Sequence, residues 1–268
     1  MRPIGAFIAA AYSSIDARDL LPAGARSTLR PVVTQECKVQ LAAAVDYRTA
    51  RRRVDRFDSV DMAVAAIARG EFVVVVDDES RENEGDLILA ADAATPEAIA
   101  FMVRHTSGLI CVALPGEVLD RLELPLMVRD NAESFQTAFT VSVDKRDGIS
   151  TGISASDRAA TIRALADPAT RAVDLVRPGH LFPLRARSGG VLERPGHTEA
   201  AHDLARLAGR CAGGVLCEIV NTDGEMARRP DLFRFARQHD LVIVSIEQLV
   251  NHRRHERDLR TAFQGVMA

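Results

Sequence analysis

The side chains best suited to chemistry form an acidic run between two apolar segments. Residues 77–86 carry six carboxylates and one arginine, a formal charge of −5 (one positive minus six negative). Apolar residues 72–76 precede the run and 87–89 follow it, so the carboxylates are predicted to lie together at the edge of a core. Like charges this close repel unless a cation or protons lie among them. The run is either a solvated loop protecting a sheet edge or, as its arginine, glycine and flanking strands favour, a site for Mg²⁺ or Mn²⁺.

A second candidate site lies at residues 194–198, where the sequence Arg-Pro-Gly-His-Thr directly precedes a predicted helix. Free N–H groups and the positive end of a helix dipole bind anions, and Arg194 adds a guanidinium. Gly189 and Gly190 allow the backbone to approach a ligand closely. The alternative is an ordinary capped helix in which His197 has no role.

Two further residues could carry protons. Glu218 lies in the apolar segment 215–220, where a buried carboxylate is costly unless it is paired, protonated or bound to a metal. A strand with one face in solvent would explain Glu218 equally well. His180 lies in a loop bounded by Pro178 and Pro183, a setting that by itself favours a structural role. A metal, an anion pocket and proton carriers together indicate an enzyme acting on a phosphorylated small molecule, without naming its reaction.

The composition excludes several other classes of protein. The chain has 268 residues, 47% hydrophobic and 26% charged, with a net charge of −3, as is typical of a globular protein. No basic stripe with interleaved aromatics indicates nucleic-acid binding, and no apolar run has the length of a membrane span. None of the four cysteines lies in a C-x-x-C pair. We therefore expect free thiols in a reducing compartment, the cytoplasm.

Strands and helices alternate irregularly along the chain. Strands are predicted at residues 72–76, 87–89, 109–114, 139–143, 214–220 and 241–246. Helices are predicted after the N-cap candidates Asp58, Thr95, Ser156, Thr198 and Ser245. This order favours an α+β (α/β) fold with a mixed central sheet covered by helices. We expect a poorly ordered N-terminal extension at residues 1–55, one domain at 56–252 and a C-terminal tail at 253–268.

Five motifs in this chain resemble the signature of the 3,4-dihydroxy-2-butanone 4-phosphate synthase family, an enzyme family of riboflavin biosynthesis. They occur in order and at similar spacing between Phe57 and Asn251. The motifs are residues 77–86, 105–111, 150–155, 177–183 and 194–199.

The resemblance implies a lyase that converts D-ribulose 5-phosphate to L-3,4-dihydroxy-2-butanone 4-phosphate and formate. It also implies a three-layer sandwich, a homodimer, and Mg²⁺ or Mn²⁺ as cofactor, with two ions per subunit. No membrane or nucleic-acid partner is expected. A divalent ion would stabilise the negative charge that develops on adjacent sugar oxygens.

The resemblance also assigns roles by position. Glu82 and His197 are the implied metal ligands, and His180 and Glu218 the residues essential for turnover. The implied substrate-binding residues are Arg81, Glu82, Asp86, Arg194, Pro195, Gly196, His197, Thr198 and Glu218.

The chain departs from the family pattern at few positions. His202 stands where an apolar residue is usual, and Ser188 where an acidic residue is common. Many relatives continue into a GTP cyclohydrolase II domain, whereas this sequence stops at Ala268, so we expect a monofunctional enzyme. The alternatives are another metal-dependent phosphosugar lyase or isomerase on the same scaffold, or an inactive relative that binds a sugar phosphate.

Overall fold

The computed structural model describes residues 55–211 and 213–267, with side chains described as far as Leu259. Of the predicted extension, only Asp55 lies within the described residues. The helices are α1 Val60–Ala68, α2 Pro96–His105, α3 Gly116–Arg121, α4 Ala155–Ala166, α5 His197–Leu207, α6 Arg229–His239 and α7 Ile246–Met267. The strands are β1 Val73–Val76, β2 Gly85–Ala90, β3 Cys111–Leu114, β4 Val143–Lys145, β5 Leu175–Arg185, β6 Gly214–Glu218 and β7 Val242–Ser245.

The seven strands form one mixed sheet in the order β4-β5-β3-β6-β2-β1-β7. β3 pairs parallel with β5, and β1 pairs parallel with β7. The other neighbouring pairs are antiparallel. The predicted mixed sheet is therefore confirmed.

Helices cover both faces of this sheet. On one face, Val74 and Val76 of β1 belong to a hydrophobic cluster with residues of α2, α3, α4 and α6. On the opposite face, Val73 and Val75 belong to a second cluster with residues of α1, α5 and α7. All four valines are buried, which explains why the strand reads as an unbroken apolar run. The fold is a three-layer sandwich, as the resemblance implied.

Several predicted helix ends are confirmed. The Thr95 side chain accepts a hydrogen bond from the amide of Ala98 at the start of α2, and proline occupies the first turn. Before α7, Ser245 and Gln248 exchange hydrogen bonds in a capping box, with Ser245 N donating at 2.9 Å and Gln248 N at 3.2 Å. No helix of the described residues is both long and apolar enough to cross a membrane.

Other local predictions are wrong. Ser59 rather than Asp58 caps α1, because the Asp58 side chain accepts a hydrogen bond from the amide of Ile243 instead. Ser154 rather than Ser156 caps α4. Gly196 is the N-cap of α5, so Thr198 lies inside the first turn.

Of the predicted strand 139–143, Phe139 and Thr140 form only isolated bridges, and β4 begins at Val143. His180 lies within the long strand β5 and not in a loop. The prolines at positions 178 and 183 therefore do not interrupt this strand.

Candidate active site

The acidic run forms the turn between β1 and β2, and Asp77 organises that turn. Asp77 is buried, and its carboxylate accepts backbone N–H bonds from Glu84 at Oδ1 and from Glu82 at Oδ2, each at 2.9 Å. Backbone amides bound to a carboxylate fix the path of the chain around it. The loop is therefore built around Asp77, which places the Glu82 side chain beside it.

Two arginines hold the same loop. Arg81 Nη1 lies 2.5 Å from Glu82 Oε2 and 3.2 Å from Asp77 Oδ2. Arg228, just before α6, donates through Nη1 to the carbonyls of Glu82 at 3.0 Å and Asn83 at 2.6 Å. Glu82 is thus held through both its side chain and its backbone, which keeps its carboxylate in one position.

The structure brings Glu82 and His197 together although 115 positions separate them in the chain. His197 Nδ1 lies 3.3 Å from Glu82 Oε2 and 3.7 Å from Asp86 Oδ1. Asp77, Glu82 and His197 each offer one ligand atom, and these atoms all lie within 4.8 Å of one another. One imidazole and two carboxylates therefore converge at one point.

The charges in this cluster perturb one another. Burial alone would raise the pKa of Glu82, but His197 and Arg81 outweigh it and lower that pKa to about 2. Burial would lower the pKa of His197, but the carboxylates of Asp86, Glu82 and Asp77 raise it to about 9. Burial, reinforced by neighbouring glutamates, raises the pKa of Asp86 despite the opposing charge of His197. A proton on His197, together with the charge of Arg81, therefore balances the carboxylates when no metal ion is present.

These residues fit a hard divalent cation. His197 Nε2 and Asp86 Oδ1 are buried, and neither has a hydrogen-bond partner among the described residues. Buried polar atoms without partners are costly, and a bound ion or its water ligands would satisfy them. Carboxylate oxygens with one imidazole suit Mg²⁺ or Mn²⁺.

The helix that carries His197 begins at the site. No side chain of the described residues caps α5 at Gly196, so its first amides remain available to a ligand. Arg194 is not free, because Nη1 binds buried Glu199 at 2.7 Å and Nη2 binds the Phe135 carbonyl at 3.0 Å. Its charge is largely neutralised by Glu199. Anion binding here would thus depend on the helix start more than the sequence suggested.

Glu218 lies on the cavity side of the sheet. It is the register partner of Asp86 across β6 and β2, and both residues line a cavity of about 130 Å³. Ser107 Oγ lies 2.7 Å from Glu218 Oε2. Glu218 is therefore a paired, half-buried carboxylate in the cavity wall. The remaining lining residues are Arg81, Glu82, Glu84, Cys111, Thr137, Phe139, Leu184, Arg194, His197, Thr198 and Leu216.

His180 is not brought into this group. Its side chain is 41% exposed and lies outside the residues that line the cavity. His180 Nδ1 lies 2.6 Å from Asp144 Oδ2, and its backbone N–H donates to Asp144 Oδ1 at 3.0 Å. The Gly152 loop packs closely here, since a Cβ at Gly152 would lie 2.2 Å from Asp144 Oδ2 and 2.6 Å from His180 Nδ1. His180 and Asp144 thus form a separate, oriented pair.

Three residues that shape these groups were given no individual role from the sequence, although two of them lie in the motifs at 77–86 and 105–111: Asp77, Asp144 and Ser107. Asp77 could have been suspected because it is the first carboxylate after an apolar strand, where side chains commonly bind loop amides. The local sequence did not indicate the partners of Asp144 and Ser107, since these lie 36 and 111 positions away.

The chain is similar to proteins of one enzyme family. Residues 61–252 match the family model described as 3,4-dihydroxy-2-butanone 4-phosphate synthase. The chain is 61% identical over 198 residues to riboflavin biosynthesis protein RibBA of Salinispora arenicola. The aligned region covers 74% of this chain and 47% of that relative. It is 58% identical over 197 residues to the 3,4-dihydroxy-2-butanone 4-phosphate synthase of Agrobacterium fabrum, covering 74% and 92%. The chain thus spans about half the length of the RibBA relative.

Solved structures give the same result for the fold. A crystal structure of 3,4-dihydroxy-2-butanone 4-phosphate synthase in complex with two magnesium ions superposes with a TM-score of 0.71 at 47% identity. It covers 73% of this chain and 96% of the other. The Candida albicans enzyme gives a TM-score of 0.69, also at 47% identity.

Proposed function

We propose a function for this chain on the premise that it belongs to the 3,4-dihydroxy-2-butanone 4-phosphate synthase family. The proposed enzyme is a lyase that converts D-ribulose 5-phosphate into L-3,4-dihydroxy-2-butanone 4-phosphate and formate, for riboflavin biosynthesis. The observation that carries this proposal is the approach of Glu82 to His197, at 3.3 Å, directly beside the uncapped start of α5. A metal site and an anion site then lie within one small cavity.

The start of α5 would hold the substrate. The amides after Gly196 point out of the helix end and would donate hydrogen bonds to the phosphate oxygens, with Thr198 in the same turn. Arg81, the cavity-lining cation beside Glu82, would contact the sugar end. Fixing the phosphate determines which sugar carbons face the carboxylates, and this positioning is a large part of catalysis.

Glu82 and His197 would hold the divalent ion, with the buried Asp86 and Asp77 carboxylates beside them. When bound, the ion supplies a positive charge that stabilises the negative charge developing on the sugar oxygens. We propose Mg²⁺ or Mn²⁺, two ions per subunit, a count supported by the related structure described with two magnesium ions.

Proton transfer is assigned to Glu218 and His180. Glu218 lines the cavity and would move a proton at a carboxylate oxygen. His180 is oriented by Asp144 through Nδ1, which leaves Nε2 as the atom that exchanges a proton.

We further propose that the enzyme is a homodimer. Because His180 lies outside the cavity and is 41% exposed, a role in turnover is best explained if it acts at the cavity of a partner subunit. Leu126, Met127 and Val128 add support, since each is about half exposed and large exposed apolar patches commonly mark interfaces. Mixing the inactive variants Glu82→Gln and His180→Ala would then restore part of the activity through hybrid dimers. No recovery on mixing would contradict a shared site.

A formate assay on the purified protein tests the reaction. With D-ribulose 5-phosphate and Mg²⁺, we expect one formate for each four-carbon phosphate, and EDTA should abolish both products. The Glu82→Gln variant serves as the matched control for metal-independent breakdown of the sugar. An isomerised pentose without formate would indicate an isomerase, and no product at all would indicate an inactive sugar-phosphate binder.

A cytoplasmic location stays a prediction, supported by the three described cysteines, Cys111, Cys211 and Cys217, which are all free thiols. Assaying formate release from GTP with the protein isolated from its own cell would test whether it also has a GTP cyclohydrolase II activity.

A further inference from the structure

Ser107 belongs to the motif at residues 105–111, to which the proposed function assigns no role. The residues that follow α2 and β6 pair antiparallel, through an isolated bridge between Thr106 and Ile219. Ser107 N donates to the Glu218 carbonyl at 2.8 Å, and Val220 N donates to the His105 carbonyl at 3.3 Å. The backbone of Ser107 is therefore fixed beside that of Glu218.

The Ser107 hydroxyl also binds the Glu218 side chain. Its Oγ lies 2.7 Å from Glu218 Oε2, 3.3 Å from Cys217 Sγ and 3.4 Å from the amide nitrogen of Leu109. The Leu109 amide can only donate. Burial raises the pKa of the Cys217 thiol to about 11, so this thiol keeps its proton near neutrality. The single hydroxyl proton of Ser107 is thus left for the Glu218 carboxylate.

The surrounding chain keeps Ser107 in this position. Gly108 has a φ of +86°, and a Cβ there would meet no atom within 4 Å, so glycine is required for its conformation and not for space. Arg158 of α4 is buried and donates from Nη1 to the Gly108 carbonyl at 3.4 Å. The turn after Ser107 is therefore held from a second helix.

We infer that Ser107 is a positioning residue, which binds Oε2 of Glu218 so that Oε1 faces the substrate for proton transfer. This inference rests on the proposed function, in which Glu218 moves a proton. Among the described residues, the Ser107 side chain hydrogen-bonds neither the proposed metal ligands nor the helix start that would hold the phosphate, so it would act through Glu218. Its contribution should therefore appear in kcat, with KM and metal affinity left unchanged.

The test compares formate release by the wild type, Ser107→Ala, Glu218→Gln and the double variant. Because one hydrogen bond to a charged but partly solvated group is lost, Ser107→Ala should lower kcat about tenfold. Its KM and its Mn²⁺ affinity, measured by calorimetry, should stay within about twofold of wild type. Ser107→Thr keeps a hydroxyl and should recover most of the rate. In the Glu218→Gln background, removing the hydroxyl should have no further effect, because the two residues act as one unit.

Each outcome separates this inference from the proposed function. If the wild type releases formate and Ser107→Ala matches it, the inference is wrong and the function stands. A tenfold loss that persists in the double variant would also overturn it, since Ser107 would then act elsewhere. A wild type that releases no formate would overturn both. Should Ser107→Ala fail to fold by circular dichroism, Ser107→Gly removes the same hydroxyl and undergoes the same comparison.

Discussion

Replacing Glu82 by glutamine removes one charge from the proposed metal site and changes little else in shape. In the metal-free protein the pKa of Glu82 falls from 4.5 to about 2, although its side chain is only 22% exposed. A carboxylate whose pKa is lowered by folding stabilises the protein above its unfolded pKa, and this stabilisation is lost as the pH falls through the folded value. At pH 7 the variant should therefore be less stable by on the order of 3 kcal/mol, or about 6–12 °C in Tm.

Metal addition then distinguishes a ligand from an ordinary charge. At Mn²⁺ equal to about 100 times Kd, the wild type should gain about 2.7 kcal/mol, or about 5–10 °C. Mutating residues that merely support metal ligands costs about 10–100-fold in affinity, so losing Glu82 should cost at least about 100-fold. At the same Mn²⁺ concentration the variant would gain only about 0.4 kcal/mol, about 1 °C.

Differential scanning fluorimetry with and without Mn²⁺ measures both effects. Glu79→Gln is the matched control, because it removes the same charge from the same loop. Glu79 is 63% exposed and pairs with Arg229 at 2.9 Å on the surface. This control should lose little stability and keep the full Mn²⁺ gain. If Glu82→Gln kept the wild-type gain, Glu82 would not be a metal ligand, and the reasoning from its contact with His197 would be refuted.

Three further predictions concern pH, turnover and the second residue pair. The pKa of His197 is raised from 6.5 to about 9, so its proton stabilises the metal-free protein below 6.5 and this stabilisation is lost as the pH rises through about 9. Since a metal must displace that proton, Mn²⁺ affinity should rise about tenfold per pH unit across this range; calorimetry that detects no released proton would contradict this. Glu218→Gln should lower formate release about 10²–10⁴-fold but keep the Mn²⁺-induced rise in Tm, and losing that rise would argue for a metal ligand instead. Gly152→Ala, whose Cβ would lie 2.6 Å from His180 Nδ1, should reduce turnover far more than Gly148→Ala, where the nearest atom is 3.6 Å away; equal effects would mean that backbone strain alone is responsible.

The local elements could be predicted because neighbouring residues specify them. Thr95 before proline and the Ser245–Gln248 box mark helix starts through bonds that span three residues. The unbroken valines of β1 predicted a strand buried on both faces. Where local rules failed, a distant partner decided the outcome, as when Asp58 bound the amide of Ile243 instead of capping α1.

The candidate site, too, could be predicted from the sequence only in part. The residue types predicted oxygen ligands, an anion-binding helix start and proton carriers, and the resemblance selected Glu82 and His197 as a pair. The sequence did not predict that Arg194 is neutralised by Glu199, nor that His180 lies outside the cavity with Asp144 as its partner.

The sequence by itself determined the strands β1, β2, β3, β6 and β7, the acidic turn, a helix close to residue 198 and the chemistry available to each side chain. The tertiary structure alone decided which of these groups meet. The pairing of β2 with β6 sets Asp86 opposite Glu218, and helix α5, packed on the same face, brings His197 to Glu82. The physical reason is that caps and turns depend on bonds between near neighbours, whereas the register between strands depends on how the whole apolar core packs.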